Sequence, residues 1–275
     1  MGDFHGYATH TISNQFLELE CLVSAGPRIV RLSYQGSANL LAEVPTIRIP
    51  TPFGDYYYIG GHRLWHAPEA MPRTYVPDND GCTLTPLPDG ALLEGKREEG
   101  SGVRKLIAIH IEPDRPRVHL LHTLVNEGAW DIKLAPWVIT MFRLGGTVTL
   151  PTRVENPSNE ELLPDRQLTL WPYAHINDTR LKLQDDYIQI YAQPGEPFKI
   201  GMFNSRGWIT YQIDGIVFKK SFAIQTGQEH VDTGCNAECY CDHDFVELES
   251  LGALSLVPVH GKVQWAETWE LSQAN

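Results

Sequence analysis

The sequence has few basic residues for its size. Its 22 lysines and arginines stand against 34 aspartates and glutamates, which gives a formal net charge of -12 over 275 residues. A protein of this charge is repelled by nucleic acid and by anionic membrane surfaces, so we expect neither as a partner. The charge favours a small neutral, polyhydroxylated or cationic ligand instead.

Long apolar runs are also absent. No segment reaches the roughly 18 consecutive apolar residues of a membrane-spanning helix. The segment from Met1 to Tyr7 has neither the basic start nor the apolar stretch of a secretory signal. We therefore expect a soluble, cytoplasmic protein, and the sequence leaves its oligomeric state open.

Cysteine is scarce, and the count of five is odd. Cys21 and Cys82 stand alone, so a disulfide framework is not expected. The segment Cys235-Asn-Ala-Glu-Cys-Tyr-Cys-Asp-His243 has enough thiols and imidazole to suggest zinc, but it lacks the CxxC spacing of a zinc knuckle. Positions 235, 239, 241 and 243 share one face of a strand. A plain strand with small buried thiols is therefore the alternative, and we predict neither metal nor organic cofactor.

Helical periodicity is missing as well, and strand-like segments recur between turns rich in Gly, Pro, Asn and Asp. The fold class predicted is all-β, an antiparallel sandwich of two large twisted sheets with few short helices and one concave outer face. The 42% hydrophobic content and the lack of a repeat or linker predict one domain over residues 1–275. The predicted strands include Phe16–Val23, Ile29–Tyr34, Leu106–Ile111, Val118–Val125, Ile132–Met141, Thr147–Leu150, Tyr187–Tyr191, Trp208–Gln212, Ile216–Lys220, Phe245–Leu251 and Val263–Leu271.

Two carboxylates fall on one face of the strand from Phe245 to Leu251. The period-two alternation of a strand places Glu247 and Glu249 on the same side. On a solvent face they would only add solubility. On a concave face, partial desolvation would raise their pKa and suit one of them to general base catalysis.

The segment Tyr56–Glu69 concentrates side chains that bind polar ligands. Gly60 and Gly61 allow a tight turn, and His62, Arg63, Trp65 and His66 follow it. Arginine offers a fork of donors to hydroxyls, and tryptophan offers a flat face to a pyranose ring. The alternative is a surface loop with an aromatic plug.

Two further segments contain candidate ligand-binding side chains. Leu170–Arg180 carries Trp171, His175, Asp178 and Arg180, and Asp178 either accepts bonds from substrate hydroxyls or pairs with Arg180 in a surface salt bridge. Phe198–Trp208 carries Lys199 and Arg206 beside a glycine turn, which suggests an anionic or strongly polar end on the ligand.

The remaining strand histidines do not form a site. His110, His119 and His122 fall within predicted strands, and the strand period places His119 and His122 on opposite faces. Each of the three is expected to be a structural histidine.

The order of these segments resembles the galactose mutarotase-like superfamily, which includes aldose 1-epimerases and hexose-6-phosphate epimerases. The matching segments are Gly26-Pro-Arg-Ile-Val-Arg-Leu-Ser33, Asn39-Leu-Leu41, Gly60-Gly61, Asn126-Glu-Gly128, Asp178-Thr-Arg180 and the late glutamate strand. The resemblance implies a β-supersandwich that holds a hexose on its concave face. It implies that Glu249, or Glu247 as the second choice, takes the anomeric hydroxyl proton, and that Arg63 and Asp178 bind the sugar.

This chain departs from the epimerases at the two places where they carry histidines. One place reads Pro77-Asp-Asn-Asp-Gly-Cys82, and the other has Trp137. The acid that protonates the ring oxygen is therefore missing from its family position, and His62 or His66 at the rim is the candidate replacement.

Three functions remain open at this point. The first is a sugar epimerase or mutarotase with Glu249 as base, which needs only proton transfer. The second is a carbohydrate-binding protein without catalysis, and the third is a metal-dependent lyase or isomerase that uses the histidines.

Overall fold

The period-two pattern folds into strands almost throughout the computed structural model, which describes residues 2–152, 162 and 164–274. The first twelve strands are β1 Gly2–Phe4, β2 Tyr7–Ser13, β3 Leu17–Leu22, β4 Arg28–Tyr34, β5 Glu43–Thr51, β6 Gly54–Gly60, β7 His62–Ala67, β8 Thr83–Leu87, β9 Gly90–Arg97, β10 Val103–Ile111, β11 Arg117–Asn126 and β12 Ile132–Phe142. The remaining strands are β13 Thr147–Pro151, β14 Leu168–Leu170, β15 Leu181–Leu183, β16 Tyr187–Tyr191, β17 Phe198–Met202, β18 Trp208–Ile213, β19 Ile216–Phe222, β20 Ala237–Cys241, β21 Val246–Leu251, β22 Ser255–Val257 and β23 Lys262–Gln273. Helical structure in the described ranges is one 3-10 turn, Arg73–Tyr75.

Two large antiparallel sheets pack face to face. Sheet I has the order β1-β2-β3-β4-β7-β12-β21-β20-β17-β14, with β22 beside β12. Sheet II has the order β15-β16-β13-β18-β19-β23-β11-β10-β9-β8, and β5 and β6 form a separate hairpin. The predicted antiparallel all-β sandwich is confirmed. Among the described residues, no helix has the length and apolar character to cross a membrane.

The main core fills the space between the two sheets. In sheet I it takes alternate residues of each central strand, such as Leu64 of β7, Val138 of β12 and Leu248 of β21. The intervening residues, such as Trp65 and Trp137, therefore lie on the outer face of sheet I, where they form a second apolar cluster.

The glycine pair makes the entry into β7 possible. Gly60 and Gly61 have φ of 108° and 72°, and a Cβ at either position would lie 2.1 Å from a backbone oxygen, that of Ala42 or Ile29. Other residues would clash there. The segment after this turn is a strand buried on both faces, so the interpretation of it as a surface loop is wrong.

A chain of buried side chains crosses the layer between the sheets. His62 Nδ1 lies 2.9 Å from Thr140 Oγ1, His62 Nε2 lies 2.8 Å from His122 Nε2, and His122 Nδ1 lies 3.1 Å from the Trp265 carbonyl oxygen. One assignment satisfies every atom: Thr140 donates to His62, His62 to His122, and His122 to the carbonyl. Both imidazoles are neutral in this arrangement.

Acid should weaken the fold through this chain. Burial lowers the pKa of His122 to about 4 from 6.5. The unfolded state therefore binds the proton first, so stability is full above pH 6.5 and falls as the pH drops from 6.5 toward 4. We expect the free energy of unfolding in urea to fall by about 2 kcal/mol between about pH 7.5 and pH 5 through His122 alone.

His122→Gln should reduce that loss, whereas His119→Gln, on the same strand but exposed, should leave it unchanged. Equal pH dependence in all three proteins would contradict the assignment.

Candidate functional site

Polar and aromatic side chains converge on the outer face of sheet I, where five adjacent strands run side by side. Register places Trp65 opposite Trp137, and Met141 opposite Glu247. It also places Glu247 opposite Tyr240, which lies opposite Lys199. Residues from widely separated parts of the chain therefore share one surface, because neighbouring strands keep the same side-chain phase.

Loops and the β5–β6 hairpin build walls around this surface and leave a cleft of about 500 Å³. Arg28 anchors the hairpin, because its guanidinium donates to the Tyr58 carbonyl oxygen and the Tyr56 hydroxyl, each at 2.8 Å. The lining residues are Ile47, Tyr58, Arg63, Trp65, Glu69, Tyr75, Trp137, Tyr173, Pro197, Lys199, Tyr240, Asp242, Asp244, Phe245 and Glu247. A volume and an aromatic lining of this kind suit a small organic ligand.

Glu247 and Arg63 form a buried pair in the floor of the cleft. Arg63 Nη2 donates to Glu247 Oε1 at 2.8 Å, and the guanidinium carbon lies 4.2 Å from the centre of the Trp65 ring. Burial raises the pKa of Glu247 to about 7, since it outweighs the opposing charge of Arg63, and Glu249 raises it further. Glu247 can thus accept or release a proton near neutral pH.

Glu249 lies beneath the floor and is fully buried. Its Oε2 accepts from Trp137 Nε1 at 2.5 Å and from Lys199 Nζ at 2.9 Å. It is not among the residues that line the cleft. The structure therefore places the predicted base beside Lys199 and puts Glu247, not Glu249, at the surface that a ligand reaches.

Lys199 is the centre of a buried charge cluster. Its Nζ lies 2.7 Å from Glu238 Oε2 and 2.9 Å from Glu249 Oε2. The same ammonium lies 4.6 Å from the ring centres of both Trp137 and Trp171. Although burial lowers the pKa of Lys199, its two carboxylates raise it well above the usual value. Burial raises the pKa of Glu238 well above its usual value.

The prediction that His62 or His66 supplies an acid at the rim is wrong, because neither side chain lies on the side of the sheet that faces the cleft. Both lie on the face of β7 opposite to Arg63 and Trp65, and both side chains are fully buried between the sheets. His66 Nε2 lies 3.4 Å from Glu98 Oε2, and His62 belongs to the chain that includes His122. The floor of the cleft separates them from any ligand.

His175, Asp178 and Arg180 do not join the cleft. They line a separate depression on the surface. Arg180 Nη2 donates to Asp178 Oδ2 at 2.7 Å, and this hydrogen bond lowers the pKa of Asp178. The alternative of a mutual salt bridge thus describes this turn. Arg206 lies in the turn after β17, where its backbone N–H donates to Asn204 Oδ1, and it does not line the cleft either.

The Cys235–His243 segment does not gather its side chains around one point. Cys239 and Cys241 lie in the main core, whereas His243 is exposed near Glu196. In the described ranges, one group of three potential ligands lies within 4.8 Å, namely His62, His122 and Glu267. Those atoms already have partners, because Lys220 and Trp269 contact Glu267. We read this group as a structural network.

Sequence reasoning missed Glu238 and most of the aromatic wall. Glu238 stands directly opposite Glu249 in register, but its segment drew attention for its thiols. Tyr58, Tyr173, Tyr240 and Phe245 carry no motif, and they meet only through pairing of β20 with β21 and closure of the loops. The one signal available in the sequence was the strand alternation around Glu238, which places a further carboxylate on one face of a second strand.

Comparisons with known proteins reveal similarity in structure but not in sequence. No protein-family model matches the sequence, and no curated protein matches it. A candidate aldose 1-epimerase from Escherichia coli K12 superposes with a TM-score of 0.58 at 13% identity, covering 98% of this chain and 100% of that one. A galactose mutarotase-like protein from Lactobacillus casei gives 0.62 at 9% identity, covering 96% and 100%.

The same architecture also occurs inside a larger protein. A TPR-domain containing protein from Parabacteroides distasonis superposes with a TM-score of 0.67 at 9% identity, and the match covers 97% of this chain but 47% of that one. The chain thus has the galactose mutarotase-like fold. Identities this low establish the fold alone, so function has to be argued from the site.

Removing Lys199 should destabilise the protein strongly. Lys199→Met leaves Glu238 and Glu249 facing each other without a counter-charge, and a broken buried pair typically costs about 3–5 kcal/mol. Urea unfolding measures this loss. Lys133→Met is the matched control, because Lys133 pairs with Glu229 at the exposed surface and should cost at most about 1 kcal/mol.

The loss should be recovered when the carboxylates are removed too. Lys199→Met combined with Glu238→Gln and Glu249→Gln leaves no buried charge in the cluster, so most of the stability should return. A triple variant as unstable as Lys199→Met would show that packing, not charge, is responsible.

Proposed function

We propose that this protein binds a hexose in the cleft on the outer face of sheet I and interconverts its anomers, with Glu247 transferring the proton of the anomeric hydroxyl. The observation that carries the proposal is a carboxyl of pKa about 7 beside Arg63 in an aromatic cleft. A base is most effective when its pKa lies near the working pH. The fold shared with mutarotase-like proteins supports a sugar as the ligand.

The assignment of Glu247 instead of Glu249 follows from access. A base must come within hydrogen-bond distance of the proton that it takes. Glu247 lines the cleft, whereas Glu249 is covered by Trp137 and already accepts two hydrogen bonds on one oxygen. Glu249 is better suited to hold Lys199 and Trp137 in place.

The remaining groups of the floor have complementary roles. Ring opening transfers the hydroxyl proton to Glu247 while the bond between C1 and the ring oxygen breaks, and the ring oxygen takes a proton from water. Glu247 then gives its proton to the hydroxide that is left. Lys199 stays protonated and, held by Glu238 and Glu249, keeps the floor of the cleft in place. Trp65 and Trp137 offer apolar surface to the pyranose ring.

A second function, sugar binding without catalysis, is favoured by one observation. None of the lining residues, all of which lie in the described ranges, is a histidine. A site without a histidine to protonate the ring oxygen can hold a sugar without opening its ring. The two functions differ in whether anomers equilibrate faster in the presence of the protein.

Polarimetry of freshly dissolved α-glucose and α-galactose tests the proposal. The wild-type protein should accelerate mutarotation, and the rate should rise with pH around 7 and level off above it, because Glu247 acts when deprotonated. Glu247→Gln should lower the rate by about 100-fold or more with little change in sugar affinity. Glu229→Gln, at the exposed surface, should match the wild type.

Other outcomes separate the two functions. Saturable sugar binding with no acceleration would favour the binding protein. An unchanged rate in Glu247→Gln would remove Glu247 from the mechanism.

A further inference from the structure

The cations of the cleft are not free to bind an anionic ligand. Arg63 Nη2 is occupied by Glu247, and Nη1 lies 2.8 Å from Met141 Sδ. The guanidinium also lies against the rings of Trp65 and Tyr58, 4.2 and 5.4 Å from their centres. Its charge is therefore matched, and its faces are covered by aromatic rings.

The positive charge of Lys199 is balanced even more completely. Two carboxylates approach its ammonium within 3 Å, and two indole rings cover it. A phosphate that approached Lys199 would also meet the charge of Glu249. Neither cation of the cleft thus offers an unmatched positive charge.

Carboxylates also surround the opening of the cleft. Glu69 and Asp244 line the cleft and are exposed, and the half-buried Asp242 lines it next to Asp244. The Tyr75 hydroxyl donates to Glu69, and the Tyr240 hydroxyl donates to Asp242 at 3.1 Å. These contacts hold both carboxylates at the wall and leave lone pairs directed to solvent or to a ligand.

The charges of the cleft and its floor sum to a negative value. Two cations stand against six carboxyl groups, namely Glu69, Glu238, Asp242, Asp244, Glu247 and Glu249. Burial raises the pKa values of Glu238 and Glu247, yet with both of them neutral the remaining four carboxylates still exceed the cations. A concave site of this kind concentrates its field on a bound ligand.

Aromatic rings line the cleft beside the acidic rim, and among them the ring of Tyr173 is exposed. Tyr240 lies between Tyr173 and Phe245, at ring-centre distances of 6.5 and 5.8 Å. Within the described residues, no lysine or arginine covers these three rings, whereas Arg63 covers Trp65 and Lys199 covers Trp137. An ammonium group attracts both a carboxylate and the face of an aromatic ring.

We propose that the preferred ligand of the cleft is an amino sugar, bound with its ammonium group at the rim formed by Glu69, Asp242 and Asp244, and that the cleft excludes sugar phosphates. The inference rests on the proposed sugar site and specifies the charge of its ligand. It reverses the expectation that Lys199 and Arg206 mark an anionic ligand, since Lys199 is neutralised and Arg206 lies outside the cleft.

Calorimetric titration with matched sugars tests this preference. The probes are glucose, glucosamine, N-acetylglucosamine and glucose 6-phosphate, with the corresponding galactose series, at about pH 6.5, where the free amine is largely protonated. The amino sugar should bind about tenfold tighter than the neutral sugar. The acetylated sugar should match the neutral one, and the phosphate should bind about tenfold more weakly or not at all. These differences should shrink in 0.5 M salt, which screens charges at an open rim.

Variants of the rim locate the effect. Glu69→Gln combined with Asp244→Asn keeps the shape of two exposed side chains and should reduce the preference for the amino sugar to less than threefold, with little change for the neutral sugar. Asp80→Asn is the control, because Asp80 is exposed and does not line this cleft.

The outcomes separate the two proposals. Tighter binding of the phosphate, or equal and salt-independent binding of the amino and neutral sugars, overturns the charge preference and leaves the sugar site intact. A full preference retained in the rim variant also overturns it. Absence of binding by every sugar overturns the proposed function, and this inference with it.

Discussion

The constraint on which the site depends is the shared side-chain phase of β7, β12, β21, β20 and β17. Each strand is buried on both faces, so a shift by one residue would exchange its core residues with its cleft residues. In β7 that shift would expose the His62 layer and drive Arg63 into the space between the sheets. The turn at Gly60 and Gly61 fixes the phase, because the backbone approaches Ala42 and Ile29 too closely for other residues.

Charge then divides two nearly identical glutamates into different roles. Glu247 and Glu249 are two residues apart on one strand and point in the same direction. Glu249 lies opposite Glu238 on the neighbouring strand. The two buried carboxylates can lie side by side because the Lys199 ammonium, which the two tryptophans cover, contacts both of them. Glu247 pairs with Arg63 and faces the open cleft. The buried cluster therefore fixes the floor, while the neighbouring pair remains accessible to a ligand.

The sequence predicted the class of fold, but not the faces of every strand. Alternation located strands such as Tyr187–Tyr191, because one side of β16 is buried and the other is at least partly exposed. Alternation failed for β7, whose six residues are buried on both sides and mix histidine, arginine and tryptophan. His62 and His66 were consequently assigned to the rim. The aromatic wall escaped because Tyr58 and Tyr240 lie in strands of different sheets while Tyr173 and Phe245 lie in loops, so only tertiary packing brings them together. The acidic rim escaped because Glu69, Asp242 and Asp244 resemble ordinary surface charges.

The position of Trp137 shows how far the chemistry of this cleft departs from that of the epimerases that the sequence resembles. Where those enzymes carry a histidine, this chain has an indole whose N–H donates to Glu249. An indole cannot donate its proton to a sugar at neutral pH, so the position now holds a carboxylate in place and covers Lys199. In the proposed mechanism, proton transfer at the cleft depends on Glu247, and water serves the ring oxygen. A binding protein needs neither proton transfer, and an epimerase needs both. The supply of the second proton, more than the shared fold, therefore decides between the two functions.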